Sequence, residues 1–356
     1  MTDRENLIGL LRRTGYERMP LEFSMSPTIE RKLKEYCDAT GFEAPVMGFD
    51  NLPDSQLETV REPDFWLQFY DHAFREGTFF DQYGVAREPG SEACMHLTYM
   101  YHPLEKFTTL EELQAYPFPR YLPGPTQQQL DAVEHIHANG RFAMGNMPCT
   151  VWETAWYARG MEAIMMDMVA EPELAEYVLD VVTDNAVTRA VNYAKAGADG
   201  LYLGDDIGMQ STPMMSLDVY RTFLKPRLKK VIDAARAVNP DIIVIYHSCG
   251  YATPFIPDLI EAGIDVLNPV QPESVDFEAI YKEYGDRLSF SGLLGTQTLM
   301  PFGTPEEIRA TVNKYLNMVG PKGGLLICPT HMLEPEVPIE NFIAYIEACR
   351  DYVVKK

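Results

Sequence analysis

Basic residues are scarce in this 356-residue chain: 30 Lys and Arg stand against 52 Asp and Glu, a formal net charge of −22. A surface that negative repels phosphate backbones and anionic lipid heads, which argues against a nucleic-acid partner or a membrane-surface role. A polyanionic substrate is served equally badly unless basic groups line its pocket. Cysteine is sparse too. Six scattered cysteines do not make a secreted disulfide framework. No apolar run approaches the roughly eighteen residues that span a bilayer, and the first twenty residues lack the charged-then-apolar pattern of a leader. These absences point to a reduced cytoplasmic protein, whose cysteines are candidates for metal binding or catalysis before they are candidates for bridges. No Gly-x-Gly-x-x-Gly follows an early strand, which removes the strongest dinucleotide-binding signal. There is no internal repeat and no low-complexity segment.

What is present is an alternating rhythm over the C-terminal two-thirds. Short apolar stretches at 142–145, 201–203, 242–246, 265–268, 288–291 and 325–328 read as strands. Helical text lies between or after them at 152–170, 173–194, 217–238, 254–262, 277–284, 304–318 and 338–352, with Ser216 and Thr304 placed as caps. Strand and helix alternating through short Gly- or Pro-marked joints is the signature of parallel βα units. With a first strand at 20–25, the count predicts an α/β fold, a (β/α)8 TIM barrel, over an open sheet. Residues 30–125 are irregular, aromatic and proline-rich. They read as a lid-like N-terminal extension or insertion over the barrel mouth, within a single barrel domain covering 1–356.

Active sites of such barrels gather where strands end and βα loops begin. Those places hold Gly204-Asp205-Asp206, Tyr246-His247-Ser248-Cys249-Gly250, Asn268-Pro269-Val270-Gln271, Ser291-Gly292, and Cys328-Pro329-Thr330-His331. His247 and Cys249 are two apart, so an extended backbone presents both on one face. Cys328 and His331 can reach the same point from another strand end. Thiolate and imidazole suit tetrahedral zinc, with three protein ligands and an open position marking a catalytic site. Which of Cys328 and His331 completes such a site is open, and a buried cysteine is also a common core residue. Asp205 and Asp206 are candidates for substrate binding or general acid–base work, and equally for capping the next helix. Glu153 and Glu334 are weaker candidates for catalysis and substrate contact, with loop hydrogen bonding as the alternative. Asn268 and Gln271 can bind substrate or satisfy loop backbone. His72, His96, His102, His135, His137, Cys37, Cys94, Cys149 and Cys349 show no partner pattern.

These runs, together with 197–206, 256–272 and 301–307, resemble the uroporphyrinogen decarboxylase superfamily, whose fold is a TIM barrel. The likeness is densest from about residue 140 onward. The decarboxylases act on a porphyrinogen bearing several carboxylates and carry an arginine-bearing motif just after the first strand. Here that place reads Phe23-Ser24-Met25-Ser26-Pro27, without arginine. The other branch holds zinc- and corrinoid-dependent methyltransferases, including those that methylate coenzyme M, and its His-x-Cys motif matches His247 and Cys249. Its third ligand is a cysteine in a Cys-Gly-x-x-Pro context. Counted back from Pro335, that place is His331 here, with Cys328 three residues earlier.

The resemblance therefore implies a zinc-dependent methyltransferase moving a methyl group between a small substrate, for example a methoxylated compound or a thiol, and a corrinoid. The chain lacks the Asp-x-His-x-x-Gly pattern associated with corrinoid domains, which places the corrinoid (methylcobalamin) on a partner protein docking at the barrel mouth. The aromatic 60–125 segment is then a gate or docking surface. The alternatives are a metal-independent decarboxylase, with Asp205 or Asp206 handling the proton, and a non-catalytic metal- or corrinoid-binding accessory protein.

Overall fold

The computed structural model describes residues 1–91 and 98–354, so Cys94 and His96 lie outside the described residues. Among the described residues, ten strands occur in chain order: β1 (Phe49–Asn51), β2 (Phe79–Phe80), β3 (Ala86–Glu88), β4 (Tyr99–Tyr101), β5 (Phe142–Met147), β6 (Gly200–Gly204), β7 (Ile243–His247), β8 (Val266–Val270), β9 (Ser289–Leu294) and β10 (Leu325–Pro329). Seven of them form one parallel sheet in the order β1-β5-β6-β7-β8-β9-β10. Every residue of β8, β9 and β10 is buried, as expected of parallel strands covered on both faces. All six strands expected beyond residue 140 are present.

The expected first strand at 20–25 does not form a ladder. It is an extended segment with single parallel bridges, Leu21 to Met47 and Met25 to Leu333. Gly48 N–H donates to the Leu21 carbonyl, and the Ser26 N–H to that of Leu333. The segment thus touches both edges of the seven-stranded sheet and closes the curl into a barrel. Pro20 has no N–H to give. The N–H groups of Glu22 and Phe23 go to Tyr345 Oη and Met47 Sδ instead of to a neighbouring strand.

Two expected helices are interrupted, each for a local reason. The text at 152–170 divides into Trp152–Arg159 and Met161–Ala170 at Gly160, whose φ is +88°. That left-handed backbone is one that L side chains rarely adopt, so glycine serves the turn. The text at 217–238 carries a wide π-type turn over Tyr220–Leu224 before Lys225–Arg236. Pro226 lies just past it and has no N–H for the Thr222 carbonyl, so the normal i→i−4 ladder is broken there.

The 30–125 region opens on ordinary structure. A helix, Pro27–Thr40, runs through its start and buries Ile29 and Leu33. Beyond it, β2-β3-β4 form a small antiparallel sheet. Trp66, Phe69 and Tyr116 pack together, with Phe69 and Tyr116 ring centroids 4.8 Å apart. This unit is tied to helix Trp152–Arg159, which leaves the C-terminal end of β5. Leu104 N–H donates to the Ala158 carbonyl, and the Arg159 guanidinium donates to the carbonyls of Leu104 and Glu105 while pairing with Asp167. It therefore sits at the strand-end face where the loops converge.

Candidate active site and metal centre

The sheet register sets Gly204, His247 and Asn268 side by side at the ends of β6, β7 and β8. The next residues of each loop consequently meet over the barrel. After His247 the chain turns at Gly250, with φ +75°, where a Cβ would lie 2.5 Å from the Met209 carbonyl oxygen. That turn holds Cys249 back over His247, with Sγ 3.5 Å from Nε2. Asp206 reaches in from the β6 loop. Its Oδ1 accepts the Cys249 N–H at 2.7 Å and lies 3.7 Å from His247 Nε2.

One oxygen, one nitrogen and one sulfur thus fall within 4.8 Å of one another, all from half-buried residues. A tetrahedral zinc ion, with bonds of about 2.0–2.3 Å, would place its ligand atoms roughly 3.3–3.8 Å apart. The His247–Cys249 and His247–Asp206 separations of 3.5 and 3.7 Å fall in that range, and three ligands leave a position open. The surroundings also suit a cation. Burial, and then the carboxylates of Asp206 and Glu153, push the Cys249 thiol well up. Among the described residues, no Lys or Arg forms an ion pair with Asp206, Glu153, Asp205 or Glu22. A divalent ion is what would convert the thiol to a thiolate and offset the clustered carboxyls.

The back of the His247 ring is held by a hydrogen-bond chain. Nδ1 lies 2.8 Å from Asn268 Oδ1 and 2.9 Å from Tyr202 Oη, and Tyr202 also donates to Asn268 Oδ1. Asn268 Nδ2 donates to Ser291 Oγ, and Ser291 donates to Glu22 Oε2 at 2.8 Å. An Asn oxygen facing Nδ1 selects the tautomer with the proton there, leaving the Nε2 lone pair for the cluster. Asn268 is buried, and both ends of its amide take part in this chain. Its side chain serves the histidine.

Asp205 and Asp206, adjacent in sequence, do different things. Asp205 is buried and accepts from the Val151 and Glu153 N–H groups at 2.9–3.1 Å. It caps helix Trp152–Arg159 from a neighbouring loop, where Val151 has no side chain able to do so. Burial, then Glu153, raise the Asp205 carboxyl, and the two backbone donors work in the opposite sense. Glu153 points back toward the cluster. Its Oε1 accepts from Tyr157 Oη at 2.7 Å and its Oε2 from the Asp206 N–H at 3.2 Å. Burial and the Asp206 carboxylate push it up to about 7.

Gln271 Oε1 accepts the Gly250 N–H, pinning the loop that carries Cys249. Gln271, His331 and Glu334 all line, with Cys249, a cavity of about 520 Å³. His331 is exposed there, whereas Glu334 is buried. Cys328 is elsewhere. It is buried in β10 with Sγ 3.3 Å from Ser291 Oγ and 3.6 Å from Glu22 Oε2, at the far end of the chain that begins on His247. Neither Cys328 nor His331 belongs to the described group of three donors. A larger cavity of about 680 Å³ lies between Trp66, Tyr116 and Tyr177 and contains none of these groups.

Glu22, Tyr202 and Tyr157 escaped the reading of strand ends, because the first two sit within strand-like segments and Tyr157 in a helix, whereas Ser291 stood at one of those ends without an assigned role. A carboxylate in the middle of a barrel segment, at Glu22, was the one available signal.

A family model for uroporphyrinogen decarboxylase (URO-D) matches residues 79–352. The chain belongs to that family. Its curated relatives include members of both branches. A methylcobamide:CoM methyltransferase of Methanosarcina barkeri is 28% identical over 194 residues, 54% of this chain and 53% of that protein. A methylated-thiol–coenzyme M methyltransferase of Methanosarcina mazei is 28% identical over 201 residues, 55% of this chain and 50% of that one. A uroporphyrinogen decarboxylase of Chlorobaculum tepidum is 27% identical over 191 residues, 53% and 52%. The chain therefore matches about half the length of these relatives. Among solved structures, a methyltransferase from Methanosarcina mazei superposes with a TM-score of 0.63 at 19% identity, covering 98% of both chains. That likeness shows the shared TIM-barrel fold. Among the described residues, no helix is long and apolar enough to cross a membrane.

Proposed function

We propose that this member of the family is a zinc-assisted methyltransferase that moves a methyl group between a small methylated compound or thiol and a corrinoid carried by a separate protein in the cytoplasm. The observation that carries this reading is the donor set of His247 Nε2, Cys249 Sγ and Asp206 Oδ1, placed at the cavity that Cys249 itself lines. The methyltransferases among the relatives support it. So does the absence of arginine in Phe23-Ser24-Met25-Ser26-Pro27, where a polycarboxylate would need a cation.

His247, Cys249 and Asp206 would hold the zinc, with His331, facing the same cavity, as the candidate for a further position. When bound, zinc supplies a Lewis acid for a thiol sulfur or an ether oxygen, and the partner's corrinoid supplies the other methyl carrier. The chain's own groups do the rest. Asn268 and Tyr202 orient the His247 ring. Gln271 fixes the Cys249 loop. Glu153, held by Tyr157, can keep or release a proton at its carboxyl beside Asp206. Glu334 and the cavity walls contact the substrate.

Purified protein is expected to contain close to one zinc per chain and to transfer methyl groups to or from free cobalamin. Metal-free protein that releases CO2 from a porphyrinogen would sink the proposal. Zinc content should survive Cys328→Ser and weaken in His331→Ala; the reverse pattern would give the further position to Cys328.

The chain behind His247 gives a separate expectation. Ser291→Ala leaves Asn268 Nδ2 without its acceptor, and zinc affinity should fall about tenfold, within the 10–100-fold range typical of such supporting partners. Competition against a chromophoric chelator measures this, and an unchanged affinity would show that the chain does not support the ligand.

A further inference from the structure

The hydrogen-bond chain behind His247 ends on Glu22, in the extended segment that closes the barrel. Tyr345 grips the backbone there: its Oη accepts the Glu22 N–H at 3.2 Å and lies 3.0 Å from the Glu22 carbonyl oxygen. The side chain reaches two neighbouring strands. Its Oε2 lies 2.8 Å from Ser291 Oγ on β9 and 3.6 Å from Cys328 Sγ on β10.

Nothing between Glu22 and His247 fixes a direction for this chain. The hydroxyls of Ser291 and Tyr202 both donate and accept, the Asn268 amide offers one end of each kind, and a neutral imidazole carries its proton on either nitrogen. Glu22 differs, because a hydroxyl and a thiol converge on one of its oxygens, which is the place of an acceptor. Burial raises this carboxyl, and those two donors act in the opposite sense. An ionised carboxylate can only accept.

The rest follows link by link. Ser291 spends its single proton on Glu22 and can only accept from Asn268 Nδ2, at 2.9 Å. Asn268 Oδ1 is thereby turned to the ring, 2.8 Å from Nδ1, and takes the Tyr202 proton at 2.7 Å. The ring proton stays on Nδ1, and the Nε2 lone pair faces Cys249 Sγ and Asp206 Oδ1. A group at position 22 able to donate would lift the constraint. With the amide reversed, Nδ2 would face Nδ1 and drive the ring proton onto Nε2.

We infer that Glu22 is a positioning residue: acting through Ser291 and Asn268, it sets the His247 tautomer whose Nε2 is free to bind a metal. That this tautomer serves zinc rests on the methyltransferase reading above. That Glu22 sets it stands on the chain of hydrogen bonds alone.

Glu22→Gln keeps the shape of the side chain and lets it donate. Nitrogen-15 NMR of the metal-free protein, labelled at histidine and held where the ring is neutral, reads the tautomer; loss of a signal in His247→Gln assigns it. In the parent, Nε2 should be the unprotonated nitrogen. In Glu22→Gln the two tautomers should mix, and zinc affinity measured against a chelator should fall about tenfold, as for other supporting partners. Ser291→Ala cuts the same chain with Glu22 in place and should give the same mixture. Should Glu22→Gln fail to fold, that variant decides. Adding Asn268→Asp to Glu22→Gln sets a carboxylate directly against Nδ1. It should restore the single tautomer and bring zinc affinity to within about threefold of the parent, a rescue that damage to the fold would not allow.

An unshifted tautomer in either Glu22→Gln or Ser291→Ala, or a loss of affinity that Asn268→Asp does not rescue, overturns the positioning role. If the tautomer shifts as expected but the parent takes up no zinc, the zinc reading falls and the role of Glu22 stands. If the parent binds zinc and the tautomer never shifts, the role falls and the reading stands.

Discussion

Replacing His247 or Cys249 by alanine is expected to strip the protein of its zinc, to below about a tenth of an ion per chain after dialysis. Each change leaves two of the three clustered donors, and the loss should exceed the 10–100-fold seen when only a supporting partner is removed. The two variants should differ in one respect. Removing the His247 ring also releases Asn268 Oδ1 and Tyr202 Oη, which it now engages at 2.8 and 2.9 Å. His247→Ala should therefore melt lower than Cys249→Ala, whose backbone N–H still bonds Asp206. Methyl transfer should be lost in both while far-ultraviolet circular dichroism stays that of the parent. Metal content by elemental analysis decides the matter. Full zinc retention in either variant would remove these residues from the ligand set.

The neighbouring aspartates should separate cleanly. Asp205→Ala removes the acceptor for two buried N–H groups at the start of helix Trp152–Arg159, with the Val151 and Glu153 donors left unsatisfied. The cost should be about 3 kcal/mol, or roughly 5 °C in melting temperature for a chain of this size. Asp206→Asn keeps an acceptor for the Cys249 N–H, so its melting temperature should stay within about 1 °C of the parent, by the usual tolerance of a half-exposed position. Its zinc affinity should nevertheless fall, because a neutral amide is a poor ligand for this ion. A stable Asp205→Ala variant without activity, together with an Asp206→Asn variant that keeps both zinc and turnover, would reverse the two roles. Thermal melts run beside chelator competition on the same samples distinguish the outcomes.

Much of the barrel was legible because its signals are local. A buried parallel strand such as Ile243–His247 shows itself as a β-branched apolar run, and the turns that follow it show themselves as Gly or Pro. The segment at 20–25 was legible in place but not in kind. Its role as the closing element depends on bridges to Met47 and Leu333, one of them more than three hundred residues away. The helix breaks at Gly160 and Pro226 were readable in principle, since both residues interrupt the helical ladder. The helical spacing on either side outweighed them.

Composition determined a net charge of −22, which argues against a nucleic-acid partner. Spacing determined that His247 and Cys249 share a face, and the order of elements determined that they sit at a barrel mouth. Tertiary structure decided what those residues face. It turned Asp205 into a helix cap, set Asp206 beside His247, engaged Asn268 with the imidazole, and placed His331 on the cavity while burying Cys328 beside Glu22. The physical reason is the range of the interactions. Backbone periodicity is written within a few residues, whereas the environment of a side chain is assembled from strands tens to hundreds of positions apart. A carboxyl's work as cap, ligand or proton carrier follows from that environment and not from the residue type.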